Sequence, residues 1–198
     1  MSVRVYVEGG GNNKDTLKRC QEGFARYCRN AAPNHPQPRI VACGGRQQAF
    51  NRFRTAVLNA QANESCVLLV DAESAVSNAG PVNHLQARDG WSFPDLGVHQ
   101  VFLMVQAMEA WLLADHGALA AFYGQGFLVK SLPGNPDVES IPKDDLEPRL
   151  RHASAPTKTK REYHKTRHGF AILAMIDPVK VATASPHAKL FNDFLRSL

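Results

Sequence analysis

Glu8, Asp71 and Glu73 each stand where an apolar run gives way to a turn. The runs are Val5-Tyr6-Val7-Glu8 ahead of three glycines, and Val67-Leu68-Leu69-Val70-Asp71 followed by Ala72-Glu73. A strand that runs into a carboxylate displays it at the carboxyl edge of its sheet, and in open α/β sheets that edge is where ligands bind. Three acids far apart in sequence can therefore meet in one cleft. Clustered carboxylates repel one another unless a cation lies between them, and hard oxygen donors suit Mg2+ or Mn2+. A further acidic segment, Met108-Glu109-Ala110-Trp111-Leu112-Leu113-Ala114-Asp115, follows another apolar run. The chemistry open to such a site is metal-dependent attack on a phosphodiester.

The charge pattern supplies the complementary half. Residues 1–142 carry 12 Lys and Arg against 12 Asp and Glu, whereas residues 143–198 carry 11 against 6, so the tail supplies the whole net charge of +5. Arg149, Arg151, Lys158, Lys160, Arg161, Lys165 and Arg167 lie close together there, with only Glu162 opposing them. Neutralising phosphates releases counterions and gives affinity for DNA or RNA without sequence preference. Lys158, Lys160, Arg161 and Arg167 are the candidate contacts to nucleic acid, and a solvated surface is the plain alternative. Gly9-Gly10-Gly11 would let a phosphate approach the backbone closely, with Gly10 at its centre, or would serve as a strand-to-helix turn. No Gly-Lys-Ser/Thr follows, so the run is not a nucleotide-binding P-loop. His164 and His168 share a helical face, but Lys165, Thr166 and Arg167 between them repel a cation, which argues against zinc.

These residues need elements to hold them. Val3, Val5 and Val7 alternate with Arg4 and Tyr6, which predicts a strand over 3–8; further strands are expected at 39–43, 66–70 and 101–105. Helices are expected at 14–29, capped by Asn12 or Asn13, at 46–62, and through Trp111. Arg46, Arg52 and Arg54 lie on the polar side of the second helix. The apolar run 66–70 fits a strand covered on both faces. Strands alternating with helices give an α/β fold with a mostly parallel central sheet flanked by helices, Rossmann-like in plan. The core is expected at 1–128. Residues 129–198 read as a proline-rich linker (130–148) and a basic helical extension packed on the core, with helices at 164–176 and 187–198. Leu190, Phe191, Phe194, Leu195 and Leu198 form the stripe of the last helix. Residues 74–98 read as a long loop facing substrate or partner.

At 198 residues with 44% hydrophobic content, the chain suits one folded domain. No window reaches the roughly 20 apolar residues that span a bilayer, so no membrane role is expected. The charged first strand predicts no signal peptide. Cys20, Cys28, Cys43 and Cys66 lack metal-ligand or redox spacing and read as buried thiols of a cytoplasmic protein. A homo-oligomer is compatible with all of this.

A first strand ending in Glu-Gly and a later one ending in Asp-x-Glu resemble the Toprim domain of topoisomerases, primases and overcoming-lysogenisation-defect (OLD) nucleases. The sequence is most similar to a bacterial Toprim-like family of unknown function, which shares the Glu109–Asp115 segment and the Tyr163-His164-Lys165 pattern. The resemblance covers nearly the whole chain. It implies that Glu8, Asp71 and Glu73 bind the divalent metal and act in catalysis. Glu73 stands where the Toprim pattern usually has Asp, which would shift metal placement. Glu109 is implied as a ligand for a second metal and Lys165 as the late basic residue of OLD-type nucleases. Lys165 or Arg46 would then meet the charge that develops on the phosphoryl oxygens. By analogy an ABC-type ATPase would be the partner, in a bacterial phage-defence system. Two other readings stay open: a catalytically weak module that docks to an ATPase or nucleic acid, and a phosphotransfer enzyme acting on a small substrate.

Overall fold

Period-two alternation turns residues 2–7 into a strand with one face inward, and the three glycines that follow release the chain into a helix. A computed structural model describes residues 2–77 and 80–198. β1 (Ser2–Val7) leads into α1 (Lys14–Ala31), then β2 (Arg39–Ala42), α2 (Arg46–Leu58), β3 (Glu64–Asp71), α3 (Gly80–Asp89) and β4 (Gln100–Met104). The remainder is helical: α4 (Met108–Leu113), α5 (His116–Tyr123), α6 (Lys143–Ser154), a π-helical turn at Lys165–Gly169 running into α7 (Phe170–Leu173), α8 (Pro178–Ala184) and α9 (Pro186–Arg196). Asn13 caps α1, its side chain accepting the Asp15 N–H.

All four strands are parallel, in the order β2-β1-β3-β4. The chain steps outward from β1 to β2, then returns past β1 to β3 and continues to β4. This reversal opens a crevice beyond the carboxyl ends of β1 and β3, the topological switch point of a Rossmann-like sheet.

Helices cover both faces, as the apolar β3 requires. Val67 and Leu69 join Val5 and Val7 in a core shared with Phe24 and Tyr27 of α1, Trp111 of α4 and Phe191 of α9. Cys66, Leu68 and Val70 point the other way, into a second core with Phe50 and Phe53 of α2 and Leu85 of α3. The fold is therefore α/β with a parallel sheet between helical layers. All four cysteines are buried and free. Among the described residues no helix is long and apolar enough to cross a membrane.

Three expectations about the elements need correction. Residues 74–98 are not a structureless loop: Gly80-Pro81, which read as turn punctuation, open α3, because proline is tolerated in a first helical turn. Leu85 is buried, and Trp91 stacks on Phe50 with ring centroids 4.3 Å apart. Asn78 and Ala79 of that stretch lie outside the described residues. Residues 130–148 are not a free linker, since Val138, Ile141 and Leu146 sit in the same core as α1. Pro142 immediately precedes α6 and Pro148 lies within it. Pro148 forfeits one backbone hydrogen bond, and burial of Leu146 and Leu150 offsets the loss. Near the chain's end the expected helix at 164–176 is a π-turn and a four-residue α7, and Asp177 caps an additional helix, α8. On α9, Phe191 and Leu195 are buried but Leu190 is 57% exposed.

Leu146→Ala should destabilise the protein by about 3 kcal/mol, as for a filled core site. Leu128→Ala, at a position 41% exposed, should cost under about 1 kcal/mol. Urea denaturation midpoints check both, and a near-neutral Leu146→Ala would return 130–148 to linker status.

Candidate active site

β1 and β3 are hydrogen-bonded neighbours with Val7 opposite Leu69, so their first residues beyond the ladder meet at the switch point. The Glu8 N–H donates to the Leu69 carbonyl at 3.2 Å, and the Asp71 N–H donates to Glu8 Oε2 at 3.3 Å. Glu73, two residues on, has a left-handed backbone with φ 71°. Such a conformation costs a non-glycine residue on the order of 1–3 kcal/mol; here the Glu73 N–H is anchored on the Gln106 carbonyl at 2.7 Å. One carboxylate oxygen from each of Glu8, Asp71 and Glu73 lies within 4.8 Å of the others.

Each acid has a cation beside it. Arg46, at the start of α2, donates to Glu8 Oε2 at 3.2 Å and to the Asp71 carbonyl. The other side of its guanidinium forks onto Asp89 at 3.0 and 2.7 Å, and it lies 5.0 Å from the centre of the Trp91 ring. Glu73 pairs with Lys143 of α6, and with Arg88 of α3 at 3.5 Å. Lys165 bridges Asp71 Oδ2 at 3.4 Å and Glu109 Oε2 at 3.3 Å. Glu109 is held from the other side by the Tyr163 hydroxyl, which donates to Oε1 at 3.0 Å. Asp71 Oδ1 accepts the Met108 N–H at 2.8 Å, so Asp71 also caps α4, whose own cap residue, Ala107, offers no side-chain acceptor.

Five carboxylates (Glu8, Asp71, Glu73, Asp89 and Glu109) thus meet four cations (Arg46, Arg88, Lys143 and Lys165). With all ionised, one negative charge is left over. The surplus registers at Glu8, whose carboxyl is pushed up to about 7 by burial first and the charge of Asp71 second, against the pull of Arg46. Burial likewise raises Glu109, against the pull of Lys165. Lys165 is driven well above the ordinary lysine range: burial alone would lower it, but Asp71 and Glu109 outweigh that. The donor set is of the kind that suits a hard divalent ion, because three carboxylate oxygens converge within a network that carries one surplus negative charge. A cavity of about 200 Å³ is lined by Glu8, the three glycines, Asp71 and Lys165 among others, with Glu73 outside its lining.

The candidate residues divide into three places. Glu8, Asp71, Glu73 and Lys165 come together. Glu109 stands outside the three-acid group and pairs with Lys165. Arg46 is engaged with carboxylates and not open to solvent. Gly10 has φ 87°, and a side chain there would come within 2.9 Å of the Leu17 backbone, so close packing on α1 accounts for this glycine. Lys160, Arg161 and Arg167 line a different concavity, and Lys158 is exposed. Sequence reasoning missed Arg88, Asp89 and Lys143, because the segments carrying them read as loop and linker. The adjacent opposite charges of Arg88-Asp89 were the available signal.

The raised Glu8 carboxyl fixes a sign. The folded protein holds a proton that the unfolded chain releases at about 4.5, so stability of the metal-free protein falls as pH rises from 4.5 to about 7. Glu8→Gln removes that penalty. At pH 8 it should melt about 3 °C or more above the wild type, and near pH 5 within about 1 °C of it. A variant less stable at pH 8 would show that the Arg46 pairing outweighs burial.

No curated protein and no solved structure matches the chain. One family profile does, over residues 7–198, a span that takes in the three acids and the four cations. The chain belongs to the family described as Domain of unknown function (DUF4276).

Proposed function

We propose that this chain is a divalent-metal-dependent phosphodiesterase acting on nucleic acid, DNA or RNA, with a Toprim-type acid set. The observation that carries this reading is the meeting of Glu8, Asp71 and Glu73 at the sheet's switch point with their oxygens within 4.8 Å of one another, beside the half-buried ammonium of Lys165. Glu8, Asp71 and Glu73 hold Mg2+ or Mn2+, which supplies charge stabilisation on the phosphoryl group and activation of water. Arg46 orients Glu8 and ties it to α2. Asp71 keeps its place through the Met108 N–H and Lys165. Lys165, held by Asp71 and Glu109, the latter steadied by the Tyr163 hydroxyl, offers a fixed cation to phosphoryl oxygens where negative charge grows.

The docking-module reading draws on one observation: each of the three acids already has a protein cation within 4 Å. Those cations would have to share their carboxylates with a metal. An ABC-type ATPase partner, a role in phage defence and a cytoplasmic location remain part of the proposal on the strength of the Toprim and OLD resemblance.

Plasmid, single-stranded DNA and bulk tRNA incubated with Mg2+ or Mn2+ should be cut, and EDTA should abolish cutting. Glu8→Ala and Asp71→Ala should lose it together, and Lys165→Met should slow it about 10²-fold. Folded protein that cuts none of the three polymers with either metal would favour the docking module. Because ligating carboxylates must be unprotonated, Mn2+ affinity should fall about tenfold per pH unit below the Glu8 value. Calorimetry that finds the same affinity at pH 5.5 and pH 8 would remove Glu8 from the ligand set.

A further inference from the structure

The π-turn at Lys165–Gly169 has two faces. Lys165 reaches the acids. Arg167 and His168 line a concavity of about 420 Å³ on the other side, together with Lys160, Arg161 and the ring of Phe122. Among the described residues, no carboxylate pairs with Lys160, Arg161 or Arg167. Glu162, the one acid in that stretch, lies 3.8 Å from Arg151, and Glu147 takes the same arginine at 2.7 Å. Three exposed cations thus surround one hollow with no protein carboxylate paired to them, and their summed positive potential favours an anion there.

The hollow is built rather than incidental. The Lys160 ammonium sits 4.7 Å over the centre of the Phe122 ring, a contact that holds a flexible chain in place. Arg161 has a left-handed backbone, φ 61°, rare for a non-glycine residue, and its carbonyl accepts the Thr157 hydroxyl at 3.3 Å. His168 is 4% exposed. Its Nδ1 lies 3.3 Å from the His164 N–H and 3.2 Å from the Tyr123 hydroxyl. A backbone N–H can only donate, so Nδ1 is the acceptor and the neutral ring carries its proton on Nε2. Burial, with Arg167, His164 and Lys160 nearby, keeps the ring neutral by lowering its proton affinity. Nε2–H, which bonds to no other described residue, is a fixed donor for the same occupant.

The geometry points to a phosphate subsite: Lys160, Arg161, Arg167 and His168 together take one phosphate of a nucleic-acid strand that also reaches the acids. This rests on the phosphodiesterase reading for its ligand, but it concerns binding and needs no metal. Lys165 and Arg167, two residues apart, would then grip one strand at two points.

The test is binding of a labelled 12-nucleotide single strand to the full chain in EDTA, across a salt series. Lys160→Ala/Arg161→Ala/Arg167→Ala should weaken binding at least about tenfold while lowering the salt slope by only about 0.7, since three cations meet one phosphate. Arg54→Ala/Lys130→Ala, exposed and outside the hollow, should change the affinity less than about twofold. The 15N shift of His168 Nε2 should move on addition of the strand in the wild type and not in the triple variant. Unchanged binding by the triple variant, or equal loss in the control, overturns the subsite in favour of a diffuse basic surface. AMP binding as tightly as the strand overturns it in favour of a free nucleotide. A strand that binds through the hollow but is never cut would count against the phosphodiesterase reading alone.

Discussion

Asp71 is all but enclosed at the end of β3, and an enclosed carboxylate persists only where its charge is met. Much of the molecule is arranged to meet it. The Met108 N–H reaches it from the start of α4, and Lys165 reaches it from a turn 94 residues away in sequence. Glu109 and Tyr163 then hold that lysine. One charge at one strand end therefore binds the sheet to α4 and to the C-terminal helices. The cores around it are apolar and would tolerate many packings; the carboxylate selects one of them.

Around this centre the acids and bases are nearly but not fully balanced. A site whose protein cations matched every carboxylate would have little use for a metal, and one with no cations would bind it in competition with its own unfolding. An excess of about one negative charge lies between those limits. It also accounts for the place of Arg88, Asp89 and Lys143 in the site, although they touch no part of the cavity lining: they set how much charge is left over. The π-turn adds an economy of construction, since five residues carry one cation toward the acids and two more side chains away from them.

How much of this could be read without coordinates follows from the physics of each signal. The four strands and first two helices were legible because their apolar periods are strong and their ends are marked by glycine or asparagine. Glu8 and Asp71 were legible because a carboxylate closing an apolar strand must be desolvated, a penalty that calls for a cation or a metal nearby. The C-terminal half was harder. Prolines 133, 136, 142 and 148 read as a linker, yet proline opens helices as readily as it ends them, and only burial of Leu146 and Leu150 decides between the two. Lys143 was hidden for the same reason. Arg46 was picked out as open to solvent or ligand, but its carboxylate partners were not legible, because a helix-face argument cannot tell a solvent-facing arginine from one turned toward carboxylates. Glu109 was picked out through the family resemblance, and so were Tyr163 and Lys165; that these two would meet Glu109 itself is a long-range pairing that no local spacing encodes.

Synthesis runs from the N-terminus, and that gives the arrangement of charges a direction in time. Glu8, Asp71, Glu73 and Glu109 all leave the ribosome before Lys143 and Lys165, the two lysines that answer them. Until those arrive, the nascent sheet carries carboxylates matched only in part by Arg46 and Arg88, and Asp71 lacks the partner that permits its enclosure. A chain arrested short of Lys165 therefore presents Asp71 and Glu109 without the ammonium they share.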